Sequence, residues 1–311
     1  MGENRAMSAQ RLDFSVIVPT YNRPGQLEAC LTALAALRYA VDRFEVIVVD
    51  DGSAEPVDTA VALFRNRLNV SVVRQENSGP AAARNRGVEH ARGAWLAFTD
   101  DDCLPNADWL QSLAHRLEKG ANCVVGGRTV NGLTDNLCSA MSQIIVDVVY
   151  RYYNARPEQA LFFATNNLAM PLELFRRIGG FDEAFTTSED RDFCDRCLYR
   201  GITMLYAPEC IVYHRHPLSY RSFCKQHFHY GRGAFQFLRR QHQRRSHHGW
   251  MKTGFHLSMH NWLLYPFSQV RPHQWPALAV LLFSWQAVNL AGFIVEAVRN
   301  MTPGRTVRRK T

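Results

Sequence analysis

Trp95-Leu96-Ala97-Phe98-Thr99-Asp100-Asp101-Asp102 is an apolar run that ends abruptly in three carboxylates. The apolar part has the length and aromatic content of a buried strand. The carboxylates then fall at the strand's C-terminal end, where open α/β sheets place their ligand crevices. Three adjacent like charges repel, so a countercharge is required. A hard divalent cation supplies one, and Mg²⁺ or Mn²⁺ keeps open positions for substrate phosphates. For a bare Asp triplet, a solvated acidic turn is the alternative.

The surroundings of the triplet are strand and helix in alternation. Phe14 to Arg23 reads as a buried strand followed by a loop, the strand ended by Pro19, which lacks the N–H that a ladder needs. Pro24 and Gly25 open a helix with Leu27, Leu31, Leu34 and Leu37 on one face. Phe44 to Val49 is a second buried strand, again ending in paired carboxylates, Asp50 and Asp51. A helix is expected from Val57 to Leu68 and a short strand at Val70 to Val73. Asn77 to Gly87 is a polar turn leading into a helix that is small on one side and basic on the other. Its alanines allow close packing, and its arginines can face an anion. This alternation implies an α/β fold, a mostly parallel sheet flanked by helices. No G-x-G-x-x-G follows the first strand and no P-loop is present, which argues against a dinucleotide or P-loop fold.

Downstream, helices are expected at Asp108 to Lys119 and at Pro171 to Arg177, the latter stopped by Gly179-Gly180. Cys123 to Gly127 and Asn166 to Met170 read as strands, and Ile202 to Tyr206 and Ile211 to Tyr213 as two short ones. Ser188 is a plausible N-cap for a helix carrying Glu189 and Asp190. Asp190 at that helix start complements the dipole on a bland reading. Asp192 and Asp195 are expected to be solvated, and Arg23 and Arg86 to be surface charges. Cys194-x-x-Cys197 with His214 and His216 downstream has zinc-like spacing, although helix cysteines facing a sheet are commonly just buried. His214 follows a short strand, where it reaches a metal or diphosphate or is simply structural.

Four motifs in this order make the chain resemble the family-2 glycosyltransferases of the GT-A fold, inverting enzymes that use nucleotide-diphospho-sugars. They are Ser15-Val16-Ile17-Val18-Pro19-Thr20-Tyr21-Asn22, Val49-Asp50-Asp51-Gly52-Ser53, Gly79 to Gly87 with its Ala-Arg-Asn core, and Phe98-Thr99-Asp100-Asp101-Asp102. Gly179-Gly180-Phe181-Asp182-Glu183 and Glu189-Asp190 fit the acceptor half. The resemblance implies that Pro19, Tyr21 and Asp51 contact the nucleoside, with Asp51 accepting a hydrogen bond from the base. It implies that Asp100 and Asp102 hold a Mg²⁺ or Mn²⁺ that bridges the diphosphate, with His214 a further candidate ligand. Asp101 is then near the ribose, Arg84 on the donor and Asp190 the catalytic base. Two other readings are a nucleotidyltransferase on a related sheet and a catalytically silent scaffold that binds nucleotide-sugar or membrane in a glycan-assembly complex.

The resemblance covers about two-thirds of the chain, so residues 1–216 are expected to form the GT-A domain and 217–311 a helical extension. The formal net charge is +8, with the excess concentrated in that extension. There Arg221, Lys225, Arg232, Arg239, Arg240, Arg244 and Arg245 alternate with Phe223, Phe228, Tyr230, Phe235 and Phe237. No nucleic-acid module accompanies them, so an anionic membrane surface fits better than nucleic acid, and suits a glycan or lipid-linked acceptor. Pro276 to Val295 carries no charge and is about 20 residues long, enough for a bilayer span, but re-entrant, interfacial and buried-helix readings fit as well. Arg5 and Arg11 flank no apolar run, so no secretory leader is expected. The eight scattered cysteines are expected to be reduced thiols of a protein at the cytoplasmic face of a membrane.

Overall fold

The computed structural model of the chain describes residues 12–120, 122–133, 135–244, 262 and 264–301. Two compact units are present. The first, residues 1–133, 149–184 and 189–216, holds the sheet. The second combines the described residues of 134–148 and 185–188 with those from Pro217 onward.

In the first unit, Phe14–Thr20 (β1) and Phe44–Asp50 (β2) are largely apolar and almost wholly buried, as strands covered on both faces must be. Val70–Arg74 (β3), Trp95–Phe98 (β4), Cys103–Pro105 (β5), Cys123–Asn131 (β6), Leu168–Pro171 (β7) and Thr203–His214 (β8) complete the sheet. The strand order is β3-β2-β1-β4-β7-β6-β8-β5. The first half is parallel, as expected: β1 pairs in parallel with β2 and β4, and β2 with β3. The second half adds antiparallel pairings to the mostly parallel sheet that was expected. β7 is antiparallel to β4 and β6, and β5 is antiparallel to β8, while β6 and β8 are parallel. The sheet is therefore mixed.

Pro24–Leu34 (α1), Asp58–Ala62 (α2), Pro80–Glu89 (α3) and Trp109–Leu117 (α4) follow the strands. α2 is shorter than the expected Val57 to Leu68, because Phe64 and Arg67 close tight turns instead of continuing it. Leu27, Leu31 and Leu34 pack with Phe14, Val16, Val46 and Val48 into one core that also holds Trp109. Burying each such side chain contributes roughly 1.5–3 kcal/mol. Trp109 Nε1 donates to Asn167 Oδ1, and Asn167 Nδ2 donates to the carbonyls of Arg128 and Cys210. One fully buried amide thus pins α4 to β6 and β8. Leu137–Tyr153 (α5), Leu172–Ile178 (α6) and Glu189–Tyr199 (α7) complete the helices of this part of the chain. Gly179 ends α6 in the left-handed conformation, φ +87°. Ser188 precedes α7 at φ +73°, outside the extended region of an ordinary N-cap.

The expected pair of short strands at Ile202 to Tyr213 is one strand, β8. It slips register against β6 between Gly127 and Arg128, where Ala207 and Ile211 become successive partners. Pro208 lies inside that bulge, the place where a sheet tolerates a residue without an N–H.

In the second unit, Tyr220–Arg244 (α8) lies against Trp275–Met301 (α9). Tyr220 bonds Ser284, Asn289 Nδ2 donates to the His227 carbonyl, Arg232 pairs with Glu296, and Arg239 reaches Asn300. Partners rise together along both helices, so the two run parallel. Their backbones nearly touch: a Cβ on Gly231 would lie 1.9 Å from the Asn289 carbonyl oxygen, and one on Gly292 2.0 Å from that of Phe228. The expected cations Arg245, Arg305, Arg308, Arg309 and Lys310 lie outside the described residues.

His227 is buried on α8 with its ring 4.4 Å from Phe223 and 5.5 Å from Tyr230. Among the described residues neither ring nitrogen finds a hydrogen-bond partner, and burial pushes its pKa down to about 4. The unfolded chain takes up this proton near pH 6.5 and the folded chain only near 4, so stability falls as pH drops through that window. His227→Phe is therefore expected to gain about 2 kcal/mol more at pH 5 than at pH 7. Thermal unfolding at the two pH values checks this, and an equal shift at both would contradict it.

Candidate active site

The site lies at the C-terminal edge of the parallel strands. Register brings Thr20 of β1 opposite Asp50 of β2, and Ile17 opposite Phe98, so Thr99 to Asp102 emerge beside Thr20 and Tyr21. The carboxylates do not stand free. Thr20 Oγ1 donates to Asp101 at 2.8 Å, and Arg23 Nη1 lies 3.3 Å from both Asp101 and Asp102. The short strand β5 begins right after Asp102 and sets Cys103 against His214 of β8. That register delivers His214 Nε2 to 3.2 Å and His216 Nδ1 to 3.1 Å from the Asp102 oxygens, with the two imidazoles stacked 5.4 Å apart.

These contacts set the protonation states. Burial pushes Asp101 up, only partly offset by Arg23, to about 6. Burial acts the same way on Asp102, but hydrogen bonds from His214 and His216 outweigh it and hold that carboxyl well below the usual range. Burial lowers His214, and the bond to Asp102 more than reverses this, so His214 is raised.

Asp102, Cys103 and His214 bring potential ligand atoms within 4.8 Å of one another. The Cys103 sulfur is a soft donor, which a hard cation such as Mg²⁺ or Mn²⁺ does not favour. The donors left are carboxylate oxygen and imidazole nitrogen, a set that fits Mn²⁺ or Mg²⁺.

Asp51 holds the neighbouring loop. Its oxygens accept from the backbone N–H groups of Ser78 and Gly79 at 2.9 Å each and from Gln75 Nε2 at 2.7 Å. Gly79 sits at φ +93° just before Pro80 opens α3, a conformation that a side chain at this turn would strain. Pro19 is half-buried and Tyr21 exposed at the same edge.

Arg84, buried on α3, joins two parts of the site. Its Nη2 donates to Asp100 at 2.6 Å and its Nη1 to Glu189 at 2.9 Å. Glu189 is the first residue of α7 and Asp190 the second. Asp190 Oδ1 accepts the N–H of Arg191 at 2.7 Å. Burial, then repulsion from Glu189, push the Asp190 carboxyl up to about 7, against the pull of Arg191. A carboxyl poised there can exchange a proton near neutrality.

The structure thus gathers Asp100, Asp101, Asp102, His214 and Arg84 into one network, and Arg84 ties it to the helix start bearing Asp190. Several readings change. Arg23 is not merely a surface charge, since it spans two of the three carboxylates. Asp192 and Asp195 are fully buried, not solvated, and Asp192 pairs with Arg196 at 2.7 Å. Among the described residues Cys194 and Cys197 do not join His214 and His216 in a ligand cluster. The Cys194 sulfur engages the Phe163 backbone, while the histidines turn to Asp102. Sequence reasoning left Thr20, Glu189 and the Asp102 contact of His216 unassigned. The His214-x-His216 spacing held the signal, and in the structure the two rings stack 5.4 Å apart at the end of β8.

Residues 15–179 match the model of Glycosyl transferase family 2. The chain is 30% identical over 227 residues to a pre-mycofactocin glycosyltransferase of Mycobacterium tuberculosis, covering 71% of this chain and 47% of that protein. It is 32% identical over 225 residues to the validoxylamine A glucosyltransferase of Streptomyces hygroscopicus, covering 63% and 53%. It therefore spans about half the length of these relatives. Its fold is similar to the mannosyltransferase PcManGT from Pyrobaculum calidifontis in complex with GDP-Man and Mn²⁺, with TM-score 0.66 and 22% identity over 95% of this chain and 88% of that one. It is also similar to S. aureus TarS in complex with UDP-GlcNAc, with TM-score 0.54 and 20% identity over 93% and 92%. With the family model covering more than half of its length, and the acidic strand end where that fold keeps its ligand crevice, the chain belongs to glycosyl transferase family 2 and has the GT-A fold.

Proposed function

We propose that the chain transfers a sugar from a nucleoside-diphosphate donor to a hydroxyl of a glycan or lipid-linked acceptor, with inversion at the anomeric carbon. The observation that carries this is the Asp100–Arg84–Glu189 bridge. It links the triplet of carboxylates to a helix start whose next residue, Asp190, is held near neutrality. Asp190 accepts the acceptor hydroxyl's proton as that oxygen attacks the anomeric carbon. One base and one displacement imply inversion, by analogy with inverting glycoside hydrolysis. Asp100, Asp102 and His214 would hold a divalent cation, with His216 beside them. Such a cation, when bound, offsets charge on the departing diphosphate. Pro19, Tyr21 and Asp51 face the nucleoside, and Asp101, fixed by Thr20 and Arg23, lies toward the ribose. The cytoplasmic face of a membrane is the expected place of action, given the apolar C-terminal helix.

The test is a panel of nucleotide-sugars with Mn²⁺ or Mg²⁺, reading released nucleoside diphosphate against an EDTA control. Slow metal-dependent release from one donor, and from no nucleoside triphosphate, is expected. Diphosphate released from a nucleoside triphosphate would favour the nucleotidyltransferase instead. Metal-independent binding of every donor, without turnover, would favour the silent scaffold.

A further inference from the structure

Helix α9 buries a mixed face and exposes an apolar one. Leu278, Leu281 and Trp285 are buried on it, and beside them Ser284, Gly292 and Glu296 meet α8 through hydrogen bonds, an ion pair and close backbone contact. Its exposed face is apolar along its whole length: Val280, Phe283, Leu290, Ile294, Val298 and Met301 are each more than half exposed, Phe283 by 76%. A core helix of a water-soluble unit shows the reverse. Small residues at the crossing, polar side chains between helices and apolar ones outside are how helices pack against each other in lipid. The 27 residues of α9 make an exposed apolar stripe about 40 Å long, far more than scattered surface hydrophobics.

Neighbouring charges choose the occupant. Arg271 is exposed ahead of α9 and Arg299 in its last turn, and Arg239 and Arg240 are exposed near the end of α8. Trp275, half-exposed at the first turn, has the amphipathic ring that settles at a headgroup boundary. Cations around an apolar stripe match anionic headgroups over acyl chains.

The other side of α8 decides the geometry. Thr187 Oγ1 donates to the His229 carbonyl at 3.1 Å, and the N–H of Leu218 donates to Ser139 Oγ at 3.2 Å. A Cβ on Gly233 would sit 2.2 Å from Thr187 Oγ1. Thr187 therefore backs α8, and Ser139 the turn just before it, while α8 backs α9. A bilayer-spanning α9 would draw α8, with its exposed Arg221, Lys225, Arg239 and Arg240, into hydrocarbon, at a cost of several kcal/mol for each charge.

We propose that α9 lies in the plane of an anionic membrane, its apolar stripe among the acyl chains and α8 on its water side, and does not cross the bilayer. This rests on the reading of the C-terminal part as membrane-associated and not on the sugar chemistry. The full chain is mixed with vesicles of phosphatidylcholine alone or with phosphatidylglycerol, sedimented, then washed with alkaline carbonate. Preferential binding to the phosphatidylglycerol vesicles and release by carbonate are expected. Phe283→Glu with Leu290→Glu, both exposed positions, should cut the bound fraction about tenfold while circular dichroism and nucleotide binding stay at wild type. Retention after carbonate would overturn the in-plane geometry and leave membrane association standing. No binding to either vesicle would overturn membrane association itself. If light scattering then shows a dimer that the double variant loses, the stripe belongs to a second copy of the chain. Unchanged vesicle binding by the double variant would remove α9 as the contact.

Discussion

Asp190→Asn is expected to all but abolish sugar transfer and to leave nucleotide binding close to wild type. Asparagine keeps the size of the side chain and its acceptor oxygen for the Arg191 N–H, so the start of α7 is preserved. What is lost is the ability to take a proton from the acceptor. General-base catalysis contributes about 10²–10⁴-fold, and kcat should fall by that much. The wild-type enzyme carries a second mark. The Asp190 carboxyl, the proposed base, is held up at about 7 by burial and by Glu189, so kcat/KM should rise with pH below about 7 and level off above. The residual activity of the variant should lack that limb. Wild-type turnover in Asp190→Asn, or the same pH profile in both proteins, would take Asp190 out of the role.

Asp102→Ala has the next largest expected effect, and it falls on donor binding as well as on turnover. Asp102 is the carboxylate on which His214, His216 and Arg23 converge. With it gone, the imidazoles lose the group that raises and orients His214, and the donor set for a divalent cation loses its most acidic oxygen. Turnover should drop at least about 10²-fold, comparable to removal of a key electrostatic stabiliser. Calorimetry should show that Mn²⁺ no longer strengthens nucleotide binding. Asp101→Asn, whose carboxyl is bound to Thr20 and Arg23, should weaken nucleotide binding and keep its dependence on Mn²⁺. Equal loss of the metal effect in both variants would mean that the three carboxylates act only as a patch of charge.

The N-terminal half was legible because its strands are long, apolar and punctuated by Pro, Gly and paired Asp, so each motif fell at a strand end. The antiparallel entries of β5 and β7 were not. Cys103–Pro105 and Leu168–Pro171 are three and four residues long, too short for direction or partner to show in a pattern. β8 read as two strands because Pro208 and Glu209 look like a turn, and only the register with β6 shows them to be a bulge. In the site, carboxylates announced themselves by clustering, while their partners did not. Arg23 and Arg84 look like any helix-start or helix-face cations, and Asp192 and Asp195 like solvent-exposed acids. Burial is decided by what packs on a helix from elsewhere in the chain, and local charge pattern carries little of that.

One guanidinium, that of Arg84, answers to two carboxylates from distant parts of the chain, Asp100 and Glu189. Lysine offers a single point charge and cannot fork to both, and an uncharged residue leaves two acids facing each other without a mediator. The three side chains therefore form one coupled unit, and their substitutions should combine non-additively. On the proposed reading, a change made at Asp100 to alter the donor would also disturb Glu189, next to Asp190, through the same arginine, so specificity is easier to alter at positions outside this trio.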